Sequence, residues 1–248
     1  MSASEAEPTE PSVHNRHLFS WMLLILANVL WGVSYVAAKY ILRDTTINIM
    51  LAMRMAIASF VLLPVLILKR RDLHLTRQTL PQLALLVLAG FVINKLLEYS
   101  GLALTTASDV ALLITSESIF TAILSWIMLR EAFKRRTVFA LVLGLFGVYL
   151  VIERSIIPNI PSEGGLLRIV GDILVVLALL VEAFYSVRGK SLLLKYPPLL
   201  IISASVVGSM LFWVPLAGWD VLTTGWHPLG LVAWLSLGWM AIMATAVA

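Results

Sequence analysis

The stretch Ile47–Leu68 reads INIMLAMRMAIASFVLLPVLIL and carries one charged side chain, Arg54. About 20 predominantly apolar residues, as a helix rising about 1.5 Å per residue, are enough to cross the roughly 30 Å hydrocarbon layer of a bilayer. The stretch is followed directly by the basic residues Lys69, Arg70 and Arg71. It therefore predicts a membrane-spanning helix.

Seven further apolar runs surround this one. The chain has 248 residues, of which 60% are hydrophobic and 13% charged, against roughly 45–50% and 25% in soluble domains. The runs are continuous and lack the alternation of about 10 residues that membrane strands show. We predict an all-α integral membrane protein with about eight transmembrane helices, at Leu18–Leu42, Ile47–Leu68, Leu80–Gly101, Val110–Leu129, Thr137–Ile152, Ile169–Val187, Leu199–Ala217 and Leu229–Ala248.

The composition also excludes several kinds of site. Without cysteine there are no disulfides, thiolate nucleophiles or Cys-based metal sites. The four histidines are scattered over tails and loops, at His14, His17, His74 and His227. We therefore predict no metal, no cofactor and no nucleic-acid partner, and we interpret the net charge of +4 as a signal of membrane topology.

Basic residues predict the orientation, because short cytoplasmic loops carry the excess of lysine and arginine. One side has twelve of them, namely Arg16, Lys69, Arg70, Arg71, Arg77, Arg130, Lys134, Arg135, Arg136, Arg188, Lys190 and Lys195. The other side has Arg43, Arg154 and Arg168. We expect a multi-pass protein of the cell (plasma or inner) membrane, with residues 1–17 forming a disordered cytoplasmic tail.

The two halves of the chain show a weak internal repeat. Val29–Lys39 aligns with Leu179–Gly189 at an offset of 150, which places Tyr35 on Tyr185. The first and sixth predicted helices then correspond, so that each repeat would hold five helices and the second would be inverted relative to the first. Inverted repeats are typical of transporters.

Four motifs in this order resemble the EamA type of drug/metabolite transporter. They are Leu30-Trp31-Gly32-Val33-Ser34 in the first helix, Ala103–Ser108 (ALTTAS) between the third and fourth, Ser125–Glu131 (SWIMLRE) where the fourth ends, and Gly171-Asp172 at the start of the second repeat. The chain departs from the family at Ser118, where members usually have a proline that kinks the fourth helix.

The resemblance implies inverted five-helix repeats, with a first repeat at 18–152, an extracytoplasmic linker at 153–168 and a second repeat at 169–248. Only three helices of the second repeat are present, so the chain has about eight of an expected ten. Two more would need roughly 50 residues. We therefore expect the sequence to be cut short at Ala248.

Charged residues inside the predicted spans are candidate site residues, because each costs about 2.5–3.5 kcal/mol at mid-bilayer. Substrate- or proton-binding candidates are Arg54, Asn94, Lys95, Glu98, Glu117 and Glu182, with Trp31, Tyr35 and Tyr185 as cavity aromatics. Lys39, near a helix end, is predicted to snorkel to the interface.

Two interpretations of these charges stay open. Lys95 and Glu98 could form one structural pair, and Arg54 and Glu117 another, holding helices together without touching substrate. Alternatively, one or more of the acids binds a cationic group or takes up a proton. Glu182 is the best single candidate, because it has no basic neighbour at helical spacing except Arg188 at the cytoplasmic exit.

The resemblance implies a secondary transporter, expected to be an exporter, that moves small organic metabolites such as amino acids or amines by alternating access. The alternatives are a polytopic membrane enzyme acting on lipid-like substrates and an inactive or structural membrane subunit. We expect no enzymatic activity. Membrane lipid, a small-molecule substrate and a coupling proton are the expected partners, and a homodimer is left open.

Overall fold

The fold is that of a computed structural model, which describes residues 13–69, 77, 79–129, 135–154, 165–226 and 228–242. Within these ranges all regular structure is helical. The elements are α1 Val13–Ile41, α2 Ile47–Leu68, α3 Thr79–Leu86, a π-helical segment Val87–Ile93, α4 Asn94–Leu104, α5 Ala107–Ile114, α6 Glu117–Leu129, α7 Arg135–Arg154, α8 Gly165–Leu193, α9 Pro198–Thr224 and α10 Leu231–Ala241.

Four helical stretches of the described chain are long and apolar enough to cross a membrane, namely Ile47–Leu68, Thr79–Leu104, Ala107–Leu129 and Pro198–Thr224. Shorter apolar helices cover Ile25–Ile41, Arg136–Ile152 and Leu231–Ala241. The prediction of an α-helical membrane protein is confirmed, whereas the count of eight crossings stays a prediction. Residues 1–12 of the predicted tail, 155–164 of the predicted linker, the loop residues around His74, His227 and the end of the last predicted span lie outside the described residues.

Helices from the two predicted repeats pack against each other. The most extensive helix–helix packing joins α2 to α9 and α4 to α8, and α6 also packs along α8. At the start of α2, Thr46 caps the helix by accepting from the backbone N–H of Ile49, and Asp220 of α9 accepts hydrogen bonds from Thr46 and from Asn48. An acidic group beside a helix N-terminus is favourable, because it faces the unpaired N–H groups of the first turn.

The helices α4 and α8 cross at two glycines. A Cβ atom at Gly101 would meet the backbone oxygen of Gly171, and one at Gly171 would meet the backbone oxygen of Gly101. The two main chains therefore approach so closely that neither position has room for a side chain. Small residues permit such crossings in membrane helices, where dispersion contacts replace the hydrophobic effect as the force between helices.

Two of the predicted spans are not continuous α-helices. In the third, the backbone N–H of Asn94 donates to the backbone carbonyl of Ala89, five residues back, which is the π-helical pattern. The fourth is interrupted by a turn at Thr115 and Ser116, between α5 and α6. This interruption lies less than one helical turn before Ser118.

Lys39 is bound to the end of another helix, and the prediction that it snorkels to the interface stays a prediction. Its ammonium group donates to three backbone carbonyls at the end of α4, those of Leu102 (2.6 Å), Ala103 (2.9 Å) and Thr105 (2.7 Å). An ammonium group has three N–H donors, so all three are used. Lys39 therefore satisfies carbonyls that have no partner within α4.

We expect Lys39→Met to lower the free energy of unfolding by about 2 kcal/mol, because it removes charge-assisted hydrogen bonds from a helix end. The measurement is the thermal unfolding of the detergent-solubilised protein. Lys69→Met removes an exposed lysine at the end of α2 and should change stability by less than about 0.5 kcal/mol. Equal effects of the two substitutions would contradict the assigned role of Lys39.

Beside Lys39 lies a buried polar network at the start of α8. Arg168 pairs with Asp109 at 2.6 Å, and the hydroxyl of Thr105 donates to Asp172 at 2.6 Å and to Asp109 at 3.2 Å. Arg168 was predicted to lie in a loop. It is instead 8% exposed in the first turn of α8, and its ion pair with Asp109 connects α8 to α5.

Candidate functional site

A cavity of about 230 Å³ lies in the middle of the helix bundle. It is bounded by α1, α2, the π-helical segment, α4, α5, α6, α8 and α9, so residues far apart in the chain meet there. All nine side chains predicted from the sequence line it, namely Trp31, Tyr35, Arg54, Asn94, Lys95, Glu98, Glu117, Glu182 and Tyr185.

Lys95 and Glu98 of α4 form the predicted ion pair, with 2.7 Å between Lys95 Nζ and Glu98 Oε2. The Glu98 side chain is also hydrogen-bonded to that of Tyr35 from α1. Glu98 is 4% exposed, and it is held from two helices. This side chain is therefore fixed in the cavity wall.

Arg54, the charged residue of the long apolar stretch in α2, is 5% exposed. Its guanidinium donates a hydrogen bond to the hydroxyl of Tyr99, and Arg54 Cζ lies 5.6 Å from the centre of the Tyr99 ring. Tyr99 was not predicted as a site residue, although it directly follows Glu98 in the same cluster. Because it faces Arg54 across the bundle, Tyr99 links α4 to α2.

Glu117 at the start of α6 and Glu182 in α8 are different, because neither makes an ion pair or a side-chain hydrogen bond with any described residue. The alternative that Arg54 and Glu117 form a structural pair is therefore wrong. Both carboxyl groups lie near enough to Lys95 to interact with it electrostatically. For Glu182 this neighbour comes from another helix, which spacing along its own helix did not reveal.

Asn94 leaves a hydrogen-bonding group unused. Its Nδ2 donates to the backbone carbonyl of Ala178 in α8 at 2.9 Å, while its Oδ1 has no hydrogen-bond partner among the described residues. The residue is 3% exposed. A buried acceptor without a donor costs about 1–3 kcal/mol.

Aromatic rings form much of the remaining wall. Tyr185 lies against Gly90 of the π-helical segment, where a Cβ atom would collide with its ring. It also packs edge to face with Phe91, whose ring centre is 5.9 Å away. The indole of the fully buried Trp213 in α9 donates to the Phe91 carbonyl at 3.0 Å. Gly90 and Phe91 were not predicted, because their roles depend on α8 and α9.

The sequence profile of the EamA-like transporter family matches residues 18–153. An uncharacterized transporter of Archaeoglobus fulgidus is 29% identical over 191 residues, which are 77% of this chain and 64% of the relative. An S-adenosylmethionine/S-adenosylhomocysteine transporter of Chlamydia trachomatis is 29% identical over 135 residues, 54% of this chain and 41% of the relative. The uncharacterized transporter YetK of Bacillus subtilis is 21% identical over 234 residues, 94% and 70% of the respective chains. The chain thus spans less than two thirds of the length of the first two of these relatives.

Proposed function

Because this chain belongs to the EamA-like transporter family, we propose that it is a secondary transporter that carries a small organic solute through the central cavity. The observation that carries this proposal is the set of ionisable groups around a cavity between apolar helices. Burial of such groups in a membrane is costly, and they characteristically mark solute and ion pathways. The similar proteins named above are also transporters.

The proposed mechanism is alternating access between two inverted repeats, in a plasma-membrane protein with about eight crossings and a cytoplasmic N-terminus. Three features support the repeats. Tyr35 and Tyr185, at the offset of 150, line the same cavity. Pro64 in α2 and Pro215 in α9 lie inside their helices 151 residues apart (215 − 64). The helices α2 and α9, which the offset makes equivalent, pack along each other.

The size of the cavity supports a solute of the size of an amino acid or a simple amine. Its volume of about 230 Å³ is below the roughly 300–1,000 Å³ typical of sites for drug-sized ligands. This disfavours a solute as large as the S-adenosylmethionine named for the chlamydial relative. Export is the direction that the family resemblance implies, and a proton is the proposed coupling ion.

The test is counterflow of radiolabelled solutes into proteoliposomes that contain the purified chain. The panel should comprise amino acids, primary amines and S-adenosylmethionine, with protein-free liposomes as the background. We expect accumulation of at least one solute of amino-acid size and none of S-adenosylmethionine. If no solute accumulates above background while the protein is folded and inserted, the proposed function is wrong.

Glu182→Gln should lower flux of the transported solute about tenfold or more and abolish accumulation driven by an imposed pH gradient. Glutamine keeps the shape of the side chain, but it cannot ionise or form a charge-assisted hydrogen bond. The groups that act on Glu182 electrostatically are Lys95, Glu98, Glu117 and Tyr185. Asp44→Asn removes an exposed carboxyl group outside the cavity and should leave flux unchanged. Normal flux and normal pH dependence in Glu182→Gln would exclude this residue from the mechanism.

A further inference from the structure

The charges of the cavity wall are unbalanced. Three glutamates face one lysine and one arginine, so the wall carries one more acidic than basic group. The Lys95 ammonium is bound to Glu98 at 2.7 Å, and the Arg54 guanidinium donates to Tyr99. The carboxyl groups of Glu117 and Glu182 are therefore the charged groups of the described cavity wall that have no direct partner.

The side-chain amide of Asn94 also leaves a hydrogen-bond acceptor without a donor. Its orientation is set by the Ala178 carbonyl, which can only accept a hydrogen bond, so Nδ2 must face that carbonyl and Oδ1 is left free. Asn94, Glu117 and Glu182 come from three different helices and line one cavity. The carboxyl groups of Glu117 and Glu182 offer acceptors in this cavity, and a ligand that satisfies them must bring several N–H or O–H donors.

The aromatic residues of the cavity wall also favour a cationic solute. The rings of Trp31, Tyr35, Tyr185 and Phe91 line the same cavity. Aromatic faces attract cations through the ring quadrupole, most strongly where water is excluded. An anionic solute would instead meet two unpaired carboxyl groups at low dielectric, where like charges repel strongly.

We propose that the solute is a small organic amine, whose ammonium group binds between Glu117 and Glu182 while its apolar part packs on the cavity aromatics. This inference rests on the proposed function and narrows its substrate to a cation. Lys95 does not fill the ammonium site itself, because Glu98 holds it, and Tyr35 in turn holds Glu98.

The test compares three probes of nearly equal size, the cation phenethylamine, the neutral 2-phenylethanol and the anion 3-phenylpropanoate. Binding to the full detergent-solubilised chain is measured by isothermal titration calorimetry. We expect phenethylamine to bind at least about tenfold more tightly than the alcohol, as a charge-assisted hydrogen bond allows, and the anion to bind most weakly. Equal affinities, tighter binding of the anion, or no binding of the amine by the folded chain would overturn the proposal.

Variants locate the binding site. Glu117→Gln and Glu182→Gln should each weaken phenethylamine binding about tenfold and leave 2-phenylethanol binding unchanged, which also shows that the cavity is still folded. The control is Asp44→Asn, which changes the net charge equally at an exposed position outside the cavity and should bind all three probes normally. Weakening by the control alone, or by none of the variants, would overturn the assignment.

The outcome separates this inference from the proposed function. Flux of a neutral or anionic solute, together with equal affinities for the three probes, would remove the amine specificity and leave the transporter proposal intact. Tight and selective binding of phenethylamine without flux of any solute would support the site and overturn transport.

Discussion

Lys95→Met is expected to lower the free energy of unfolding by about 3–5 kcal/mol, the cost of removing one partner of a buried ion pair. Methionine has nearly the length of the lysine side chain and keeps its apolar stem. The substitution removes the ammonium group 2.7 Å from the Glu98 carboxyl group, which is only 4% exposed. The hydrogen bond from Tyr35 remains, and it cannot replace a full charge. The measurement is thermal unfolding in detergent, followed by the loss of monodisperse protein in size-exclusion chromatography.

The double variant Lys95→Met/Glu98→Gln separates charge from shape. It removes both charges and retains an acceptor for Tyr35, so it should be more stable than Lys95→Met by about 2 kcal/mol or more. Lys195→Met replaces an exposed lysine beyond the end of α8 and should lie within about 0.5 kcal/mol of the unmodified chain. If Lys95→Met also unfolds at the same temperature as the unmodified chain, the Lys95–Glu98 pair is not a structural element of the cavity wall.

Gly101→Ala is expected to destabilise the protein by about 2–3 kcal/mol, and Gly101→Leu to prevent accumulation of folded protein. The added Cβ atom would meet the backbone oxygen of Gly171 and the side chain of Val175. The backbone of α8 cannot move aside as the end of a flexible side chain would, so overpacking separates α4 from α8. The cavity lies between these two helices, and any folded variant should therefore also bind solute more weakly.

Gly147→Ala in α7 is the matched control, because nothing lies within 4 Å of its added Cβ atom. Alanine is favoured over glycine inside a helix by about 0.5–1 kcal/mol. This substitution should therefore stabilise the protein slightly, while the same change at Gly101 destabilises it. Effects of the same sign at the two positions would show that α4 and α8 are not in contact at Gly101.

Much of the helical structure could be predicted from the sequence. The bounds Ile47–Leu68 predicted for the second span are those of α2, because an apolar run in a membrane must satisfy its backbone groups within a helix. The ends of α8 and α9 were predicted less well. Arg168 and Asp220 interrupt the apolar pattern there, yet both helices extend through these residues, whose charges find partners in other helices.

The composition of the candidate site also followed from the sequence, because a charge inside an apolar run is too costly to occur without a reason. The five charged members of the nine predicted residues that line the cavity were selected on this ground. Their pairing did not follow. Spacing of three along one helix predicted Lys95 with Glu98 correctly, whereas the proposed partnership of Arg54 with Glu117 across helices was wrong.

What the sequence alone determined is therefore what depends on neighbours within one helical turn, namely the apolar spans, the buried charges and the Lys95–Glu98 pair. Only the tertiary structure decided which groups remain unpaired. Lys39 donates to the carbonyl of Leu102, which lies 63 residues further along the chain. Lys95 of α4 lies near Glu182 of α8. Such contacts depend on how the helices cross. The crossing of α4 and α8 is set by a backbone approach at two glycines that carry no side-chain signal of their own.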